Sequence, residues 1–388
     1  MKNKYSAIGL MSGTSLDGLD IAFCEFENQN NAWTYCIAAA ETVEYNDGLR
    51  EKLQNAVNMS GLELSLLNVE FGRFCGEKVK QFIENHNVNP EIIASHGHTV
   101  FHQPENFLTL QIGDGASIAA LSGVKTISNF RNSDMALGGQ GSPLVPIGDK
   151  LLFGKYDFCL NLGGIANISF ETVNQHRVSF DICFCNMALN FLSNKLGKEY
   201  DSDGKIAQSG KTDENLLKKL NSLDYFKQNY PKSLGFERFE HEIKPLLLND
   251  CVEGRHYSCK YKNSKKPYRT YPKIIENQLH TFTEHIAQQI TLTTHKAIHS
   301  QTPSVLITGG GAKNKFLLSI LKQKNPDINI IVPENLLIDY KEALIFAFLG
   351  VLRIREEINC ITSVTGAKHN NIGGCVYLNA KNQDSNNL

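Results

Sequence analysis

The strongest constraint on this chain is a strand–turn–strand opening that occurs twice. Residues 6–11 form a short apolar run, residues 12–18 are dense in turn formers, and 19–26 returns as an apolar, strand-like stretch. Residues 158–162, Gly163-Gly164 and 166–170 repeat the pattern, and 152 positions separate Gly9 from Asn161. A third strand follows each hairpin, at 34–37 and at 178–182. Helix, strand and helix come after each. Either the chain is an internal duplication, two similar α/β lobes flanking a cleft, or an α/β chain has produced a chance likeness. The pattern alone leaves both open.

Other periodicities fill in the frame. The spacing of Leu64, Leu67, Phe71, Phe74, Val79 and Phe82 predicts a helix over 62–83. Short strands are predicted at 91–95, 108–112, 124–128, 305–307 and 328–332. Ile275, Leu279, Phe282, Ile286 and Ile290 make one stripe of a long helix, and another long helix is predicted over 339–355. The tail beyond Lys381 is polar and expected to fray.

Composition enters as a filter. With 39 basic and 40 acidic residues the net charge is −1, so there is no electrostatic footprint for nucleic acid. No apolar run reaches the roughly 20 residues that span a bilayer. The start is too short and polar before Gly9 for a signal peptide. Ten cysteines include no Cys-x-x-Cys pair, which points to reduced, mostly buried thiols and a cytoplasmic protein.

Six segments carry side chains suited to chemistry. Gly13-Thr14-Ser15-Leu16-Asp17-Gly18 suits an anion, since successive turn N–H groups and two hydroxyls are donors. Asp17 suits Mg²⁺, directly or through water. Leu19-Asp20 stands where a Walker loop requires Lys-Ser/Thr, which disfavours a P-loop NTPase. A plain hairpin turn is the competing reading. Thr308-Gly309-Gly310-Gly311-Ala312 joins a strand to a helix; it suits a phosphate or ribose, or is simply a tight joint. Asp181 ends a strand and suits a general base or a helix cap. His96 and His98 would share a face of a strand, as metal ligands, substrate contacts or structural histidines. Arg131 suits a carboxylate, or an ion pair with Asp134 or another acid. The basic run Lys260–Lys273, interleaved with tyrosines, reads as a solvated loop rather than a nucleic-acid surface.

Taken in order, the segments resemble one family. Gly9-Leu10-Met11-Ser12-Gly13-Thr14-Ser15-Leu16-Asp17-Gly18-Leu19-Asp20 resembles the opening signature of the anhydro-N-acetylmuramic acid kinases. Ser95-His96-Gly97, Leu110-Gln111-Ile112-Gly113-Asp114, Phe130-Arg131, the stretch 138–146, Asn161-Leu162-Gly163-Gly164-Ile165-Ala166-Asn167-Ile168, residues 308–314, Glu342-Ala343 and Ser363-Val364-Thr365-Gly366-Ala367 follow in family order.

The resemblance implies an α/β fold of two duplicated actin-like (ribonuclease H-like) lobes around a central nucleotide cleft. The lobes are expected at 1–135 plus 356–388, with the first phosphate loop, and at 136–355, with a second phosphate loop and the adenosine motif. It implies ATP and Mg²⁺ as cofactors and 1,6-anhydro-N-acetylmuramic acid as the small-molecule substrate. The sugar is hydrolytically opened and phosphorylated on O6, giving N-acetylmuramic acid 6-phosphate in cell-wall recycling. It also suggests a homodimer. By resemblance Gly13, Thr14, Ser15, Leu16, Asp17, Gly18, Leu19 and Asp20 cradle the ATP phosphates, with Asp17 toward the metal. Gly309, Gly310 and Gly311 lie by the nucleoside, Asp181 is the catalytic base, and Arg131, Glu342 and His98 face the sugar. One stretch departs from the family. Where it usually reads Phe-Asp-Thr-Gly-Pro-Gly-Asn, this chain reads Phe180-Asp181-Ile182-Cys183-Phe184-Cys185-Asn186. The second loop's grip on phosphate must then be rebuilt or weakened. The alternative is an actin-like ATPase, or a sugar-binding homologue with weakened or altered kinase activity.

Overall fold

The computed structural model describes residues 2–13, 16–247 and 270–378. The chain divides into two compact units, Met1–Gly154 with Tyr340–Leu388, and Lys155–Asp339. Each has its own sheet.

In the first unit β1 (Lys4–Ser12), β2 (Leu19–Gln29) and β3 (Ala32–Val43) form an antiparallel meander. β4 (Ile92–Gln103) then runs parallel to β1, and β6 (Thr126–Ser128) parallel to β4. β5 (Leu108–Ile112) and β12 (Cys375–Tyr377) pair antiparallel with β4 and β6. In the second unit β7 (Phe158–Leu162), β8 (Ile165–Glu171) and β9 (Arg177–Phe184) repeat the meander. β10 (Ser304–Thr308) runs parallel to β7, and β11 (Asn329–Ile331) parallel to β10. The strand order β3-β2-β1-β4-β6 is matched by β9-β8-β7-β10-β11. Of the two readings the sequence left open, duplication is the one this shared order supports.

Apolar periodicity covers each sheet with helices. Leu67, Phe71, Cys75, Val79 and Phe82 of helix Gly61–His86 join Ile8, Leu10, Ile21 and Ile93 in the first core. Ser60 and Glu63 form a reciprocal capping box at its start. On β1, a Cβ on Gly9 would lie 1.8 Å from the carbonyl oxygen of Ala343, so only glycine lets helix Asn335–Ile354 approach that strand. In the second unit all five stripe residues of helix Thr270–Ala297 are buried, in one core with Leu160, Ile168 and Ile182.

The unit boundaries fall away from the expected positions. Residues 136–154 and 340–355, expected with the second lobe, belong to the first unit. The reason is packing: Lys341 pairs with Asp149 at 2.7 Å with both side chains buried, and Ile345 sits against Gly148. The boundary at 339/340 coincides with a break in helical geometry at Tyr340. Six described cysteines are buried, as expected, but Cys36 and Cys375 are exposed. The basic, Tyr-rich run lies outside the described residues as far as Arg269. No helix among the described residues is long and apolar enough to cross a membrane.

Candidate active site

In the first unit the β1–β2 turn closes on Leu16, which holds φ 59° and packs on the core, with its N–H on the Gly13 carbonyl at 3.3 Å. Thr14 and Ser15 lie outside the described residues. Asp17 is exposed and Gly18 is closely packed: a Cβ there would meet the Val43 carbonyl at 2.7 Å. The Leu19 side chain lies in the hydrophobic core, and its backbone is paired between Ser12 and Val43. Asp20 accepts a 2.6 Å hydrogen bond from Thr42, whose hydroxyl also lies 3.2 Å from that of Tyr340.

β4 brings the two histidines to this unit but not to one face. The register between β1 and β4 shifts after Leu10, and Gly97 takes φ 77°, which breaks the strand's alternation. His96 Nδ1 lies 2.8 Å from the Gly97 carbonyl, and its Nε2 lies 2.8 Å from Arg131 Nη2. Arginine can only donate and a carbonyl can only accept, so His96 is neutral with its proton on Nδ1. Burial, with Arg131 adding to it, lowers its pKa to about 3. His98 Nδ1 instead lies 3.0 Å from Ser12 Oγ, and burial lowers its pKa to about 4. No group of three or more metal-ligating side chains occurs among the described residues.

Arg131 does not pair with Asp134. Besides His96 it donates to the Gly141 carbonyl at 2.9 Å. The buried Asp134 carboxylate instead accepts from Thr365 (2.8 Å), Asn371 (2.9 Å) and the Gly141 N–H (2.8 Å). It therefore fixes the loop on which Arg131 rests. Burial holds the guanidinium down to about 10, while nearby Glu342 raises it. Glu342 reaches solvent, but the protein packed around its carboxyl raises its pKa; Asp20 adds to this, and Lys341 and Arg131 oppose it. Arg131, Glu342 and Asp20 thus form one electrostatic cluster in the first unit, and His96, whose role the sequence left open, joins it through Arg131.

In the second unit Asp181 lies on β9 beside a bulge. Asn167 pairs with Asp181 and Ala166 with Cys183, so Ile182 is the extra residue. The Leu234 N–H donates to its carboxylate at 2.9 Å, and the Tyr225 hydroxyl donates to its backbone carbonyl at 2.6 Å. Burial raises its pKa to about 6, against the opposing Leu234 hydrogen bond. This suits a base that works near neutral pH.

The segment after Asp181 is strand and core, not a donor loop. Ile182, Cys183, Phe184 and Cys185 are buried, and Cys183 and Phe184 pair with Ala166 and Ile165. The next three N–H groups are also taken: Cys185 and Met187 donate to the Gly164 carbonyl and Asn186 to that of Gly163. With both carbonyls engaged, the Gly163-Gly164 turn offers a ligand its own N–H groups. Among the described residues a Cβ on Gly164 would meet no atom closer than 3.9 Å, whereas one on Gly163 would meet the Asn161 side-chain amide nitrogen at 3.3 Å. The triple glycine converges there. Gly309 and Gly311 pack on Asn161 and Leu162, Gly310 is exposed, and the Asn186 amide donates to the Leu162 carbonyl at 2.9 Å. Sequence reading took Gly163-Gly164 for a turn alone; its likeness in position to the β1–β2 turn is the signal that marks it.

The sequence profile of the family described as anhydro-N-acetylmuramic acid kinase matches residues 5–379. The chain belongs to that family. An anhydro-N-acetylmuramic acid kinase of Sulfurimonas denitrificans is 30% identical over 383 residues, 95% of this chain and 98% of its own. Those of Francisella tularensis subsp. novicida and Aliivibrio fischeri are each 33% identical over 387 residues, covering 94% and 95% of this chain and 96% and 98% of their own. In this chain Ile182-Cys183-Phe184-Cys185 after Asp181 is buried, as strand as far as Phe184.

Proposed function

We propose that this chain uses ATP and Mg²⁺ to open 1,6-anhydro-N-acetylmuramic acid with water and to phosphorylate its O6. The observation that carries the reading is a half-buried Asp181, raised to about 6, in a chain that matches the family along nearly its whole length. Asp181 takes a proton from water as the water oxygen bonds to C1. The C1–O6 bond breaks, O6 bonds to the γ-phosphorus, and ADP leaves. Arg131 and Glu342 serve the sugar, with Arg131 on its carboxylate; His98 donates to a sugar oxygen. Gly13, Gly18 and the Gly163-Gly164 turn serve the phosphates, and Gly310 the nucleoside.

The Asp17 carboxylate is a hard oxygen donor on an exposed turn, chemistry that suits Mg²⁺. Bound there, the ion would offset phosphate charge. We further propose that the enzyme acts in the cytoplasm, away from nucleic acid and membrane, and as a homodimer.

A second reading is a sugar-binding homologue with weakened turnover. Its support is the buried segment 182–185, strand as far as Phe184, after which the Cys185, Asn186 and Met187 N–H groups are used within the protein. One assay separates the two. With Mg·ATP and the anhydro sugar, sugar-dependent ADP release and a 6-phosphate product support the kinase. Binding without turnover supports the second reading, and sugar-independent ATP hydrolysis defeats both.

A further inference from the structure

We propose that Tyr45 and Ser12 lock His98 in the tautomer that carries its proton on Nε2, which makes them positioning residues for the sugar. The proposal rests on the reading of His98 as a sugar contact.

The three side chains form a buried chain, each 5% exposed or less. The Tyr45 hydroxyl lies 2.8 Å from Ser12 Oγ, which lies 3.0 Å from His98 Nδ1. Ser12 is the only hydrogen-bond partner of the Tyr45 hydroxyl among the described residues. If Tyr45 did not donate to Ser12, its buried proton would go unpaired, which costs roughly 1–3 kcal/mol in general. Tyr45 therefore donates, and Ser12 has one proton left. That proton goes to His98 Nδ1, so the ring proton sits on Nε2. Burial keeps the ring neutral at physiological pH. His98 is thereby a fixed N–H donor, opposite in tautomer to His96 two residues earlier. The Edge-on Phe71 ring, 6.3 Å from that of His98, helps hold the plane.

An amide side chain tests this chemically, because glutamine is an N–H donor that needs no tautomer lock. Histidine-selective ¹⁵N NMR of the wild-type chain should show His98 neutral and protonated on Nε2. Tyr45→Phe should populate both tautomers and raise the sugar KM about fivefold, with the ATP KM unchanged. His98→Gln should shift the sugar KM by an amount of its own, and adding Tyr45→Phe to it should change nothing further. A proton on Nδ1 in the wild type overturns the lock. An equal loss from Tyr45→Phe with and without His98→Gln overturns it too, since that is a packing effect. If the tautomer is as expected but His98→Ala leaves the sugar KM unchanged, the positioning role falls while the kinase reading stands.

Discussion

The first sheet presents its hairpin on long strands and a wide turn; the second uses short strands and two glycines. β1, β2 and β3 have 9, 11 and 12 residues, whereas β7, β8 and β9 have 5, 7 and 8. The strand order is the same, and in both units the third strand carries a bulge against the second. In the first unit that bulge lies between the pairs Phe23–Ala39 and Cys24–Ile37, among apolar and small residues. In the second it lies beside Asp181. One inherited device thus remains structural in one copy and carries a carboxylate in the other. The turns diverge as well: the first adds side chains such as Asp17, while the second relies on backbone.

Removing the carboxylate tests the largest difference between the copies. Asp181→Asn should lower kcat by about 10²–10⁴-fold, the usual range for loss of a general base, with nucleotide binding retained. The variant should also be more stable at pH 7. An acid whose folded pKa is raised binds more protons folded than unfolded between about 4 and 6, so stability falls as pH rises through that window. Asparagine removes that cost. Thermal melts at pH 4 and 7 check the sign, and wild-type turnover would remove Asp181 from the base role.

The next effect belongs to the first sheet. Gly9→Ala places a methyl into the backbone of Ala343, which cannot move aside as a side chain can. We expect a loss of about 3 kcal/mol, at the upper end of overpacking costs, measured by urea unfolding. Wild-type stability would mean that this strand and helix are not in such close contact.

How far the sequence could foresee these differences depended on what each residue answers to. Hairpins, the long amphipathic helices and the core stripe follow from local periodicity and were legible. The shared strand order was not, because pairing between β7 and β10 joins residues far apart in sequence. The roles within Ser95-His96-Gly97-His98 were hidden for another reason. Alternation puts both histidines on one face, but a positive φ at Gly97 and a register shift separate them. Asp134 read as a partner for Arg131 because the two are near in sequence; three distant donors, Cys360, Thr365 and Asn371, claim it instead. The match at Asp181 was visible and the apolar run after it marked burial, but nothing local revealed the bulge at Ile182.

The pH dependence follows from the environment of Asp181. The base works deprotonated, so kcat/KM for the sugar should fall tenfold per unit below about pH 6 and level off above it. A limb near the ordinary carboxylate value of about 4 would show that burial does not set the working pKa.

The smallest expected effect tests whether the second turn has taken over phosphate contacts that its glycine-free neighbour lacks. Gly164 is not among the glycines with positive φ, and a Cβ there meets nothing closer than 3.9 Å. Gly164→Ala should therefore leave stability within about 0.5 kcal/mol. On the proposed reading its methyl would stand where a phosphate approaches, so the ATP KM should rise a few-fold while the sugar KM stays constant. The matching change in the first turn cannot be read so cleanly. Gly18→Ala meets the Val43 carbonyl at 2.7 Å, so a binding loss there would be mixed with strain. An unchanged ATP KM in Gly164→Ala would leave the second turn without a nucleotide role, and the two hairpins would then share topology but not function.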